Sequence, residues 1–316
     1  MDWVNRSGGI RAAVIIASAW NSVTAATEPT GKTETLVRVN GRAVTQADLE
    51  TAYLMRGVAA EHRPTLRRPL LERLVEEALI AAFLERQGVR PNPASLETQV
   101  DRLLALIRRR GEDPDTFLPR LGLDRQQIER QLSLPLAWET YAREMVTSAH
   151  LQAYFASHRR ELDGTQLRAR HIVLKIPADA TADEWDRATQ RLEMLRQEIQ
   201  SNSRTFDEAA REFSEGPSGE KGGDVGFFAF RGTMPAAFAD AAFQLKPGEL
   251  SRPVRDRFGV HLIEVTEERP GQLSLEDVRE AVFQRLAADL WDKQVQSEQS
   301  RARIEWTDPA DSQRDR

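Results

Sequence analysis

Two histidines stand inside apolar, strand-like runs roughly a hundred residues apart. His171 lies in Arg170-His171-Ile172-Val173-Leu174 and His261 in Phe258-Gly259-Val260-His261-Leu262-Ile263. Between them run Gly222-Gly223-Asp224-Val225-Gly226-Phe227-Phe228, then Met234 and Phe238. Much chemistry is excluded around this set. The chain has no cysteine, so thiolate catalysis, disulfides and cysteine-ligated metal are out. No serine occupies a nucleophile elbow. The glycine cluster lacks the lysine and helix context of a phosphate loop. Two histidines without a carboxylate pattern make a poor metal site. By residue type alone, Met234 and Phe238 read as core packing at i,i+4 spacing. The histidines read either as satisfied structural groups or as part of a site. His62, His150 and His158 fall on helical or loop stretches and read as surface residues.

The chain of 316 residues is long enough for about two domains. Hydrophobic residues make up 40% and charged residues 29%, a globular balance rather than a disordered one. The net charge of -5 gives no footprint for nucleic acid. At the N-terminus, Arg6 and Arg11 precede a short apolar run at 12–20, and small residues follow near Ala25 and Ala26. This is the pattern of an export signal over 1–27, or of an uncleaved anchor that keeps the chain near a membrane. The run is too short to span a bilayer as a helix, which needs about 20 apolar residues.

Elements must then hold the histidines. Residues 36–44 alternate on a period of two around Asn40-Gly41, which predicts a hairpin. Thr45 with Asp48 caps a helix. From 46 to 160 apolar spacing is helical, with stops at Gly88 and Gly111, a cap at Asp124 and an expected kink or break at Pro135. A domain boundary is expected at the turn Asp163-Gly164-Thr165. Beyond it the pattern predicts a strand at 168–176, helices capped by Thr181/Glu184 and Thr205/Glu208, a short strand at 227–228 and a short helix at 235–243. Strands at 250–254 and 260–266 complete the block. A one-sided helix over 274–301 must bury its apolar face to persist. The N-terminal helical group is the expected partner, with the central block as an insert. The tail 307–316 is expected to be disordered.

The block 170–265, within an expected domain over 165–268, resembles the parvulin-type peptidyl-prolyl isomerases. The matching pieces stand in family order: His171-Ile172-Val173-Leu174-Lys175, Phe206-Asp207-Glu208-Ala209-Ala210, Gly222 to Phe228, Met234 with Phe238, Pro247 to Val254, and Phe258 to Ile263. The resemblance implies an α+β fold, with a four-stranded antiparallel sheet and flanking helices inserted in a mainly helical chaperone-like domain. It implies isomerisation of X–Pro bonds in unfolded or partly folded exported polypeptides, non-covalently and with no cofactor or metal. It assigns the proline cup to Met234 and Phe238, walled by Val225 and Phe228. It assigns the paired core histidines to His171 and His261.

Two departures stand out. Where many members carry cysteine or aspartate this chain has Gly216, and where a threonine is frequent it has Asp256. Asp256 either raises the pKa of a neighbouring histidine or faces solvent. No basic cluster occupies 176–181, so phosphate-directed specificity is not implied. The layout as a whole is similar to exported chaperone-isomerases of the SurA and PrsA type, placing the protein in the periplasm or cell envelope. An ATP-independent holdase with a weak or inactive parvulin domain is the alternative.

Overall fold

A computed structural model describes residues 34–120, 123–177 and 179–307. The expectations for 1–27 and for most of the tail lie outside these residues. Chain contacts divide the molecule into two units, 1–148 with 283–316, and 149–282.

The first unit opens with β1 (Thr35–Val39) and β2 (Arg42–Thr45), an antiparallel hairpin. Asn40 and Gly41 turn it with φ of 51° and 84°, the paired positive values that a two-residue hairpin turn requires. Thr45 and Asp48 cap α1 (Gln46–Met55) reciprocally. Helices α2 (Arg63–Arg86), α3 (Pro93–Arg109), α4 (Pro114–Arg120) and α5 (Arg125–Met145) follow. Asp124 and Gln127 form a full capping box at the start of α5.

Pro135 does not break α5. Its missing N–H removes one helix bond, but Ile128 and Leu132 are buried in one apolar cluster and Ala137 and Trp138 in another. Packing on both sides of the proline outweighs one lost bond.

The C-terminal part of the chain completes this unit. In α11 (Leu275–Gln299), Trp291 and Val295 share a core with Ile80, Phe83, Leu84 and Trp138. The Trp138 indole donates to the Ala287 carbonyl at 3.1 Å. Strand β7 (Ile304–Trp306) pairs antiparallel with β1, giving the order β2-β1-β7.

The second unit begins with α6 (Ser148–Ser157) and the short α7 (Arg159–Leu162). The division thus falls upstream of the turn at 163–165. Arg160 explains it: its guanidinium donates to the carbonyls of Phe243 and Leu245 and to Glu268. The unit's sheet has the order β4-β3-β6-β5, antiparallel throughout, from β3 (Gln166–Lys175), β4 (Asp224–Ala229), β5 (Val254–Asp256) and β6 (Gly259–Arg269).

The strand expected at 250–254 is displaced. Leu250 makes only a single bridge to Glu264, and the ladder proper is Val254–Asp256. Pro253 cannot donate to a ladder, so regular pairing starts after it.

Side-chain alternation sorts the two faces. Ile172, Leu174, Val260 and Leu262 face α8 (Ala182–Gln200) and α9 (Phe206–Phe213). Leu167, Ala169, Ile263 and Val265 face α10 (Ala236–Phe243). The fold is α+β: a four-stranded antiparallel sheet with helices in one unit, and a mainly helical remainder in the other. No helix among the described residues is long and apolar enough to cross a membrane.

Candidate active site

His171 and His261 occupy the central, adjacent strands β3 and β6. The register sets His171 opposite Ile263 and His261 opposite Val173. Both point to the face that carries α10, and they meet diagonally. The two Nδ1 atoms lie 3.1 Å apart and the rings are nearly parallel, 20° between planes.

Each outer nitrogen is also engaged. His261 Nε2 sits 3.0 Å from Asp256 Oδ1, with both side chains only 5% exposed. His171 Nε2 sits 3.1 Å from Ser218 Oγ. Burial is the main cause that pushes His171 down to about 4, and His261 adds to it. Asp256 pulls the other way but does not prevail. Asp256 therefore faces inward rather than solvent, and it does not leave His171 charged at neutral pH.

The apolar side of the site is built on the same face. Phe238, 1% exposed, presents its ring edge-on to His171 at 5.5 Å and to His261 at 5.9 Å. Phe228 packs edge-on to Phe238 at 5.7 Å and is itself buried. Met234 and Val225 are half-buried against this cluster. Phe238 and Phe228 thus form the base of an apolar patch, while Met234 and Val225 form its accessible part.

Segment 214–223 brings the loop to the histidines by completing the edge of β3 beyond the end of β4. Glu215 N–H donates to the Val173 carbonyl at 2.8 Å, and His171 N–H donates to the Gly223 carbonyl at 2.9 Å. Ser214 Oγ accepts the Val173 N–H, and Glu215 Oε2 accepts the Lys175 N–H. Glu215 is thereby committed to the strand edge and does not enter the site.

At Gly216 a Cβ would stand 2.7 Å from Val173 Cγ1 and 3.6 Å from His171 Nε2. The position borders the histidine but leaves no room for a side chain as packed. The polar group beside His171 comes instead from Ser218, which the residue pattern did not single out. A serine two positions along a Gly-Pro-Ser-Gly loop carries no periodic signal; only the path of the loop reveals it. His62 and His150 are exposed, and His158 stacks on Tyr154 at 4.1 Å, so none of these joins the pair.

The low pKa of His171 has a consequence for stability. An unfolded histidine titrates near 6.5, so between pH 6.5 and about 4 the unfolded chain binds a proton that the folded one refuses. The contribution is complete above pH 6.5 and is lost as pH falls through that window, to about 3 kcal/mol in all. An imidazole titration followed by NMR should leave His171 neutral at pH 5. A midpoint above 6 would show that burial does not govern it.

Residues 171–267 match the rotamase family, the PPIC-type PPIase domain. The chaperone SurA of Bordetella avium is 37% identical over 145 residues, covering 45% of this chain and 28% of that protein. The foldase protein PrsA of Bacillus subtilis is 34% identical over 144 residues, covering 45% of this chain and 43% of its own. The chain thus spans less than half the length of either relative. A crystal structure of the peptidylprolyl isomerase PrsA from Bacillus anthracis aligns over 73% of this chain and 96% of its own, at 20% identity and a TM-score of 0.44. Residues 171–267 are thus a PPIC-type PPIase domain, and SurA and PrsA are among the homologues of the chain.

Proposed function

We propose that the protein isomerises X–Pro bonds in unfolded or partly folded exported polypeptides. The observation that carries this reading is the half-buried Met234 and Val225 packed against the apolar cluster of Phe238, whose ring makes T-shaped contacts with both hydrogen-bonded histidines.

An X–Pro bond rotates over a barrier of about 18–20 kcal/mol, set by amide resonance. A catalyst needs only to bind the twisted amide better than the planar one. In this reading the proline ring rests on Met234 and Val225 above the Phe238 base. The histidine pair, held by Asp256 and Ser218, fixes the polar wall beside the carbonyl. Gly216 leaves that wall open to backbone. No covalent step and no cofactor are needed. Export to the cell envelope is supported by the basic, apolar and small-residue order of residues 6–26.

A second reading, a holdase with a weakened isomerase site, draws on the near-complete burial of Phe238 and the missing side chain at Gly216. A protease-coupled assay on an X–Pro peptide separates the two. Isomerase activity should scale with protein concentration and fall about tenfold in Met234→Ala. No acceleration over the spontaneous rate, with aggregation of an unfolded client still suppressed, would leave the holdase reading standing alone.

A further inference from the structure

Four side chains are joined in series by three hydrogen bonds, and the direction of the series can be deduced. At one end, Asp256 Oδ1 accepts the backbone N–H of Phe258 at 2.8 Å. That oxygen is therefore an acceptor whatever the protonation of Oδ2, which is buried and without a partner. His261 Nε2, 3.0 Å from the same oxygen, must donate to it. Taken as a neutral imidazole, His261 has a single N–H, here on Nε2, which leaves Nδ1 bare. His171 Nδ1, 3.1 Å away, must then donate to His261. His171 Nε2 is bare in its turn, and the Ser218 hydroxyl donates to it across 3.1 Å. The depressed pKa of His171 is consistent with a neutral ring at this point. A hydroxyl at position 256 could donate or accept and would leave the direction open. A carboxylate oxygen already holding the Phe258 N–H does not.

We propose that Asp256 is a positioning residue which, through His261 and His171, turns the Ser218 proton inward and makes Ser218 the acceptor for a peptide N–H flanking the bound proline. The proposal rests on the reading of this face as the peptide site. Proline has no N–H, but the residues beside it do. Such a donor loses water on entering the site and requires an acceptor. Ser218 is half-buried, so its outward lone pairs remain reachable. The apolar side chains assigned to the cup, Met234, Val225, Phe228 and Phe238, offer no acceptor.

Long-range 1H–15N spectra of the imidazoles in the full chain read the direction without any assay of turnover. His171 should carry its proton on Nδ1 and His261 on Nε2. Asp256→Asn should keep both tautomers, because the Phe258 N–H holds the amide oxygen at the Oδ1 position. Asp256→Ala should mix the tautomers in both rings. Affinity for X–Pro peptides, read by chemical-shift titration, tests the acceptor. Methylation of one flanking N–H should weaken binding to the wild type about fivefold, whereas Ser218→Ala should bind both peptides alike.

A proton on His171 Nε2, or wild-type tautomers in Asp256→Ala, would overturn the positioning role. Indifference of the wild type to methylation at either flank would overturn the acceptor role. A chain that binds peptides with this pattern but does not accelerate isomerisation would instead refute the proposed activity.

Discussion

Gly223→Ala is expected to destabilise the sheet unit by more than about 4 kcal/mol, a cost reserved for a few mechanisms. Two of them coincide here. Gly223 has φ of +84°, where an L side chain is strained by about 1–2 kcal/mol. Its added Cβ would also lie 2.4 Å from the His171 carbonyl oxygen and 3.0 Å from the His171 nitrogen. Those are backbone atoms of a central strand, so no rotamer change relieves the clash. Relief requires moving β3, and with it His171 and the ladders to β4 and β6. Gly226 is the control. Its φ is +73°, but a Cβ there meets nothing within 4 Å. Gly226→Ala should therefore cost only the backbone strain, about 1–2 kcal/mol. Urea unfolding of the full chain, with amide spectra to report the sheet unit, separates the two variants. Equal stability of Gly223→Ala and Gly226→Ala would mean that the close approach at His171 is not real.

Phe238→Ala should cost about 3–5 kcal/mol in stability, as for other fully buried phenylalanines. Under conditions where the variant remains folded, isomerase activity should drop about 100-fold. The two losses have different origins. Stability is lost through the cavity left between Phe228, Phe243 and the sheet. Activity is lost because the ring that braces His171 and His261 edge-on is gone. Phe238→Leu distinguishes them: it refills most of the volume but offers no ring edge, so stability should recover well ahead of activity. Full activity in a folded Phe238→Ala protein would remove this ring from the site.

Much of the architecture was legible because local chemistry and tertiary packing agree. Thr45 with Asp48, Thr181 with Glu184 and Thr205 with Glu208 each form the reciprocal cap that their spacing suggests. The apolar, strand-like runs around His171 and His261 become the two central strands. Where one local rule stood against distributed packing, the rule lost. Pro135 remains inside a helix that is buried on both sides of it. Strand β5 begins only after Pro253, a boundary that a run of apolar residues does not mark.

The structure gathers the histidines and the apolar side chains on one face of the sheet, but how deeply each is buried was not legible in the sequence. Phe238 and Met234 look equivalent at i,i+4, yet one is base and the other rim. That difference depends on Phe228, His171 and His261, which reach Phe238 from other elements. Asp256 could not be placed from its position alone, because its inward turn depends on the Phe258 N–H and on the register of β6. Ser218 was invisible, because it reaches His171 through the irregular path of segment 214–223.

The pairing of β1 with β7 sets an order of events during synthesis. The segment 149–282 is contiguous and can complete its own sheet as soon as it is made. The other sheet cannot: Asn40 is bound by Arg303, 263 positions further along the chain. Until that partner appears, the outer edge of β1 stays unpaired, and the core around Trp138 lacks Trp291 and Val295. Closing so long a loop is favoured once the intervening chain is already compact. Completion of the first unit therefore waits until the contiguous segment 149–282 has been made.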